Sequence, residues 1–211
     1  MDDARQGSSF GLKIAILCGV LAPLLWAAAI AFCGMLRPGF SHYTQYISEL
    51  GELGSSTELP MRYLAFVPTG LMHLAFAAAL ATIFKGNRLG ALAAILLALN
   101  GLARIGAGYF PCDVACEETG SLGQRMHSLF ATVGFIALVV SSVLWSVVLR
   151  RTPSLRNLAA YSAASGVLGL AFLLLMVWSA EPGTARGLFE RLSSGVLSLW
   201  ILVFALRLRT R

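Results

Sequence analysis

Six stretches of the chain are long and nearly free of charge: Ile14 to Leu36, Tyr63 to Phe84, Leu89 to Cys112, Met126 to Leu149, Asn157 to Ala180 and Leu192 to Leu206. About 20 apolar residues cross the hydrocarbon core of a bilayer, so the first five are long enough as they stand. The sixth reaches full length only if Gly187 to Phe189 extend it or if Arg191 and Arg207 snorkel to the two interfaces. The first stretch follows Lys13 and carries small residues from Ala27 to Ala31, as a secretory signal does, but its apolar run is too long for one. It is expected to be a retained helix. The pattern predicts an all-α fold: one integral membrane domain over 1–211, a bundle of six transmembrane helices without soluble domain, linker or internal repeat.

The polar intervals are unequal. Lys85 to Arg88 and Arg150 to Arg156 are short, whereas 37–62 and 110–125 are long, and binding or catalytic residues concentrate in such loops when a rigid scaffold positions them. Within the first long interval Phe40, Tyr43, Ile47 and Leu50 recur at helical spacing, and His42, Gln45, Glu49 and Glu52 do so on another face. The spacing predicts a short amphipathic helix lying in the membrane interface, ended by Gly51 and Gly54. Ser55 followed by Glu58 has the form of a capping box, and Pro60 suits a first helical turn. The second span should therefore begin near Glu58.

Composition supports this picture: 57% of residues are hydrophobic and 12% charged, against roughly 25% charged in soluble domains. The net charge of +6 comes from short clusters between apolar runs, so no basic patch for nucleic acid is expected. With a cytoplasmic N-terminus, ten basic residues fall inside (Arg5, Lys13, Lys85, Arg88, Arg150, Arg151, Arg156, Arg207, Arg209, Arg211) and five outside (Arg37, Arg62, Arg125, Arg186, Arg191). This bias predicts both termini in the cytoplasm, a location in the cell inner membrane, and extracytoplasmic loops at 37–62 and 110–125. The acids follow the same division, with only Asp2 and Asp3 inside.

Candidate chemistry gathers toward the two long loops. Asn100, Arg104 and Gly108 fall four residues apart on one face of the third span, and a charged side chain at mid-bilayer costs about 2.5 to 3.5 kcal/mol on insertion scales. Arg104 lies roughly 9 Å below Phe110 by residue count; it either snorkels to water and lipid phosphate or pairs with Asp113, Glu49 or a bound anion. His73 and Asn100 share a depth of roughly 15 to 16 Å and read as a structural hydrogen-bonded pair between helices. His42, Asp113 and His127 are candidate ligands of a divalent metal such as zinc, which would activate water. Glu49 and Asp113 are the candidate catalytic carboxylates, with Glu49 as general base. Arg104, Asn100, Gln45 and Ser48 are the candidate ligand-binding groups. No His-Glu-x-x-His motif accompanies them, and each also reads as a solvated interfacial group. Ser48 lacks a Gly-x-Ser-x-Gly elbow, which argues against a serine hydrolase. Cys112 and Cys116 bracket a short turn in a loop assigned to an oxidising compartment, so a disulfide is expected over a pair of metal thiolates. Cys18 and Cys33 read as packing residues.

The segments PGFSHYTQYISELG at Pro38 to Gly51, then Arg104, FPCDVAC at Phe110 to Cys116 and His127 together resemble a prokaryotic membrane family, domain of unknown function 998, over nearly the whole chain. The resemblance implies a six-helix fold with the outer cluster as its hallmark and supplies no reaction. The SELG turn after the first span is also similar to one in eukaryotic six-helix proteins of lipid remodelling and lipid-anchor processing. The expected function is an outward-facing polar pocket that binds a membrane lipid or amphiphile by its head group and, with a metal, hydrolyses it. One alternative is a haem or quinone protein using His73 with a histidine of another span, although His127 lies roughly two to three turns from that depth. The other is a scaffold or accessory subunit.

Overall fold

The computed structural model describes residues 2–116 and 120–210, with side chains from Phe10 onward. Of the charges counted above, Asp2, Asp3, Arg5, Glu117, Glu118 and Arg211 have side chains outside the described residues, as does part of the 110–125 loop. Six long helices carry the chain: α1 (Asp2–Leu36), α2 (Val67–Ile83), α3 (Arg88–Tyr109), α4 (Leu122–Arg150), α5 (Leu158–Trp178) and α6 (Arg186–Arg209). Each of the six, α2 together with the π-helical turns Pro60–Phe66 before it, contains a segment long and apolar enough to cross a membrane. Among the described residues there is no strand.

Sequence neighbours pack together from α1 to α6, and α1 closes the ring against α6. Two helix starts are capped by side chains: Asn87 accepts from Gly90 N and Ser121 from Gln124 N. In the half of the bundle nearer Lys85, Phe76, Trp145, Trp200 and Phe204 fill a continuous apolar core. In the other half, α2 and α3 cross with backbones touching. A Cβ on Gly70 would stand 2.6 Å from the Gly101 carbonyl oxygen, and one on Gly101 would stand 2.7 Å from that of Gly70. Small residues at a crossing let van der Waals contact replace the hydrophobic drive that lipid cannot supply.

The sixth helix takes up Gly187 to Phe189 and so gains its full span, because Gly187 lies directly on the backbone of Gln45, where a Cβ would come within 2.2 Å of the carbonyl oxygen. The second span begins at Glu58 as expected, but not through the expected capping box, because the Ser55 hydroxyl donates to the Leu50 carbonyl at 3.3 Å. Gly54 N donates to Glu58 Oε2 at 2.7 Å, and Pro60 opens the π-helical turns.

The expected interfacial helix after α1 is not continuous. Residues 37–47 run through turns, and only Ser48–Gly51 closes into a four-residue 3-10 helix. Side chains take the backbone donors a helix would use: Gln45 Oε1 accepts from Ser41 N and Glu49 Oε1 from Tyr46 N, both at 2.9 Å. Of the four apolar positions, Ile47 and Leu50 are buried in a cluster with Trp26, Met61 and Phe66, Phe40 packs partly against it, and Tyr43 is exposed.

Candidate functional site

Where the 37–66 segment and the 110–116 turn meet α3, α4 and α6, Ser48 and His127 form one hydrogen-bonded pair. Ser48 opens the 3-10 turn and His127 lies in the second turn of α4. The Nδ1 of His127 is 2.9 Å from the Ala107 carbonyl oxygen and 2.8 Å from that of Phe110. Carbonyls only accept, so the neutral ring carries its proton on Nδ1, and the Nε2 lone pair faces Ser48 Oγ at 2.9 Å. The hydroxyl therefore donates to the imidazole. His127 is buried, with Phe66 edge-on to its ring, while Ser48 is partly exposed.

Ser48 borders a cavity of about 50 Å³ shared with Trp26, Phe66, Arg104, Phe130 and Glu190, room for a few waters. The Arg104 guanidinium lies over the Trp26 ring, 4.0 Å from its centroid, and its one hydrogen bond among the described residues is a long one to Thr69 Oγ1 at 3.4 Å. It has no carboxylate partner among them, so neither Asp113 nor Glu49 supplies the ion pair considered for it. Asn100 also borders the cavity; its Oδ1 accepts from His73 Nδ1 at 2.7 Å, and its Nδ2 donates to the Gly134 carbonyl at 2.9 Å.

The other predicted residues go elsewhere. Glu49 is 1% exposed, and its oxygens accept from Gln45 Nε2, Tyr46 N and Arg186 Nη2 at 2.8, 2.9 and 3.3 Å. With Gln45 it ties the loop to α6 and does not border the cavity. Asp113 holds the start of α4, accepting from Ser121 N at 2.7 Å and Ser121 Oγ at 2.8 Å. The Ser121 backbone N–H, followed by its hydroxyl, holds the Asp113 carboxyl below its ordinary range. His42 accepts from Arg191 Nε at 3.0 Å through Nδ1; partial burial and then the Arg191 charge hold its imidazole below the ordinary value.

The structure thus separates His42, Asp113 and His127 instead of gathering them around one ion. Among the described residues no three His, Cys, Asp or Glu side chains are placed to hold a metal. The physical reason is that each already has partners: an arginine, a serine at a helix start, and a serine with two carbonyls. Cys112 and Cys116 stand with their sulfurs at disulfide distance, 2.07 Å, and their Cα atoms 5.0 Å apart, within the usual range.

Several residues that shape the site were not among the candidate site residues read from the sequence. Glu190 Oε2 accepts from Ile47 N at 2.5 Å. Arg186 donates to the Thr44 carbonyl at 3.0 Å, and Arg191 to that of Gln45 at 2.7 Å. Gln124 Oε1 accepts from Asp113 N at 2.9 Å. The available signal was the sequence Arg186 to Arg191, which places three charges at the mouth of an apolar span, where each needs a partner.

Six membrane-length helices, capped at one end by a hydrogen-bonded polar loop, define a multi-pass helical membrane protein. Its family follows from residues 20–207, which match the one described as "Protein of unknown function (DUF998)". The chain belongs to that family. It matches no curated protein and no solved structure.

Proposed function

We propose that this protein resides in the cell inner membrane with its cavity toward the extracytoplasmic side, and that the cavity binds the anionic head group of a lipid or amphiphile. The observation that carries the reading is Arg104, a cation within a membrane-spanning helix that borders a cavity and forms no ion pair among the described residues, Glu190 on the same cavity wall included. Such a charge is costly in the membrane unless something negative or wet compensates it. At about 50 Å³ the cavity suits a head-group fragment and not an acyl chain.

A chain has room beside it. A groove of about 470 Å³ runs between α1 and α6 along Leu24, Ala27, Ile30, Leu199 and Leu202. Trp26 and Ser194 border both spaces, and a hydrogen bond from Trp26 Nε1 to Ser194 Oγ at 2.9 Å forms part of the wall between them. A chamber with Ser48, Asn100, Arg104 and Glu190 set in an otherwise largely apolar wall, beside an apolar groove, favours an amphiphile over a soluble anion.

Lipid mass spectrometry of protein purified in mild detergent tests this. The wild type should retain an anionic lipid. Arg104→Lys keeps the charge but loses the planar fork that grips a phosphate or carboxylate twice, so it should retain about tenfold less, equivalent to ~1.4 kcal/mol, and Arg104→Gln less still. Equal lipid in equal amount across the three proteins would overturn the reading.

A further inference from the structure

We infer that Ser48 and His127 are a nucleophile and general base that cleave an acyl ester, the substrate class being an ester-linked lipid with an anionic head; this rests on the head-group reading above. Three features separate Ser48 from a serine that merely ties helices together. Ser141 and Ser193 bond to backbone carbonyls of neighbouring helices, Ala93 and Gly169, and Ser142 and Ser146 to carbonyls of their own helix; all four are buried. Ser48 instead donates to an imidazole, is partly exposed, and faces the cavity that Arg104 also borders.

Its backbone is also held on both sides. Ile47 N is bound by Glu190, the Glu49 carbonyl by Arg37, and the Glu49 carboxylate by Arg186. The loop thus presents the hydroxyl from a fixed position, the pre-organisation a nucleophile needs. The two carbonyls on His127 Nδ1 do what a third residue does in a catalytic triad: they fix the tautomer and favour the imidazolium when it forms.

The chemistry balances without a further co-reactant than water. Ser48 Oγ bonds to the ester carbonyl carbon while its proton passes to His127 Nε2, and the resulting oxyanion lies in the field of Arg104. Collapse breaks the bond from carbonyl carbon to alcohol oxygen, and the alcohol leaves with the proton from His127. Water then attacks acyl-Ser48, giving a proton to His127; His127 returns it to Ser48 Oγ as the fatty acid departs. In a glycerolipid only a few bonds separate phosphate from ester carbonyl, so Arg104 and Ser48, which border one small cavity, can address both groups of one molecule.

The test uses the full chain in mild detergent with a fluorophosphonate probe, mapped by mass spectrometry, and with dioctanoyl phosphatidylglycerol as substrate. Wild type should carry the adduct on Ser48 and release octanoate. Ser48→Ala should do neither while melting as wild type does, and His127→Gln should label at least about a hundredfold more slowly, the lower end of what a positioned general base contributes. If His127→Gln fails to fold, Ser48→Ala against wild type carries the test. Absence of a Ser48 adduct in folded wild type, octanoate release unchanged in Ser48→Ala, or His127→Gln labelling at the wild-type rate would overturn the inference. The two readings fail separately. A labelled Ser48 with lipid retention indifferent to Arg104 removes only the head-group assignment, and Arg104-dependent lipid with no Ser48 adduct removes only the dyad.

Discussion

His42 owes its place to what residue 34 lacks: a Cβ on Gly34 would stand 2.4 Å from His42 Nε2. Seated there, the ring accepts from Arg191 Nε at 3.0 Å, a bond only the neutral imidazole can make. Its folded pKa is lowered from 6.5, by partial burial and then by Arg191. The unfolded chain therefore takes up the proton first. The stability from this contact is fully present above the unfolded value near 6.5 and is lost as pH falls through the folded value. Acidification from about pH 7.5 to about pH 5, a range that spans ordinary histidine titration, should loosen the backbone of 40–47 ahead of the helices, read by hydrogen–deuterium exchange corrected for intrinsic rates. Protection there that does not change, or a change that persists in His42→Gln, would refute this. Asp113, whose carboxyl is held below its ordinary range by Ser121, should keep its clamp on α4 through that interval. Residue types at the site were legible in the sequence, and their pairings were not. Ser48 and His127 are 79 positions apart, and depth counted along a helix places both at one end without saying that two carbonyls orient the ring. The same counting gathered His42, Asp113 and His127 into one group, whereas each has separate partners in the structure.

The helices were legible because their apolar runs are near the length that a bilayer demands, a constraint that leaves little choice of fold. Segment 37–52 was misread because helical spacing in sequence says where side chains would point if the backbone were helical, not whether Gln45 and Glu49 will take the backbone donors. Helix contacts were likewise outside reach, since a glycine reads the same in a loose face as in a tight crossing. The structure distinguishes them. Gly101 has the Gly70 carbonyl 2.7 Å from its ideal Cβ position, whereas Gly195 has nothing within 4 Å. Gly101→Val should force α2 and α3 apart, strain the neighbouring bond between His73 and Asn100 at 2.7 Å, and destabilise by about 1–3 kcal/mol. Gly195→Ala should be neutral or gain up to about 1 kcal/mol of helix propensity. Thermal unfolding of both variants in one detergent decides it: equal midpoints would mean that the crossing tolerates separation and the close contact contributes little.

Charge on the whole molecule is divided more sharply than residue counting shows. At the end that holds Ser48, Arg37 pairs with Glu52, Arg62 with Glu58, Arg186 with Glu49, and Arg191 bonds to His42. At the opposite end Lys85, Arg88, Arg150, Arg151, Arg156, Arg207 and Arg209 make no ion pair among the described residues. One end therefore keeps its positive charge free, and the other spends much of it on structure. The proposed orientation, with Lys85 inside and Ser48 outside, is the one that retention of Lys and Arg on the cytoplasmic side favours, and it would set Cys112 and Cys116 in a compartment where a disulfide persists. Leu53, exposed and joined to its surroundings through its backbone N–H to the Cys112 carbonyl, is a suitable reporter position. In spheroplasts a membrane-impermeant maleimide should label Leu53→Cys directly and Lys85→Cys only after permeabilisation, with the native Cys18 and Cys33 sheltered within α1. The reverse pattern would turn the cavity toward the cytoplasm, place the cysteine pair in a reducing compartment, and redirect the search for a substrate to the inner leaflet.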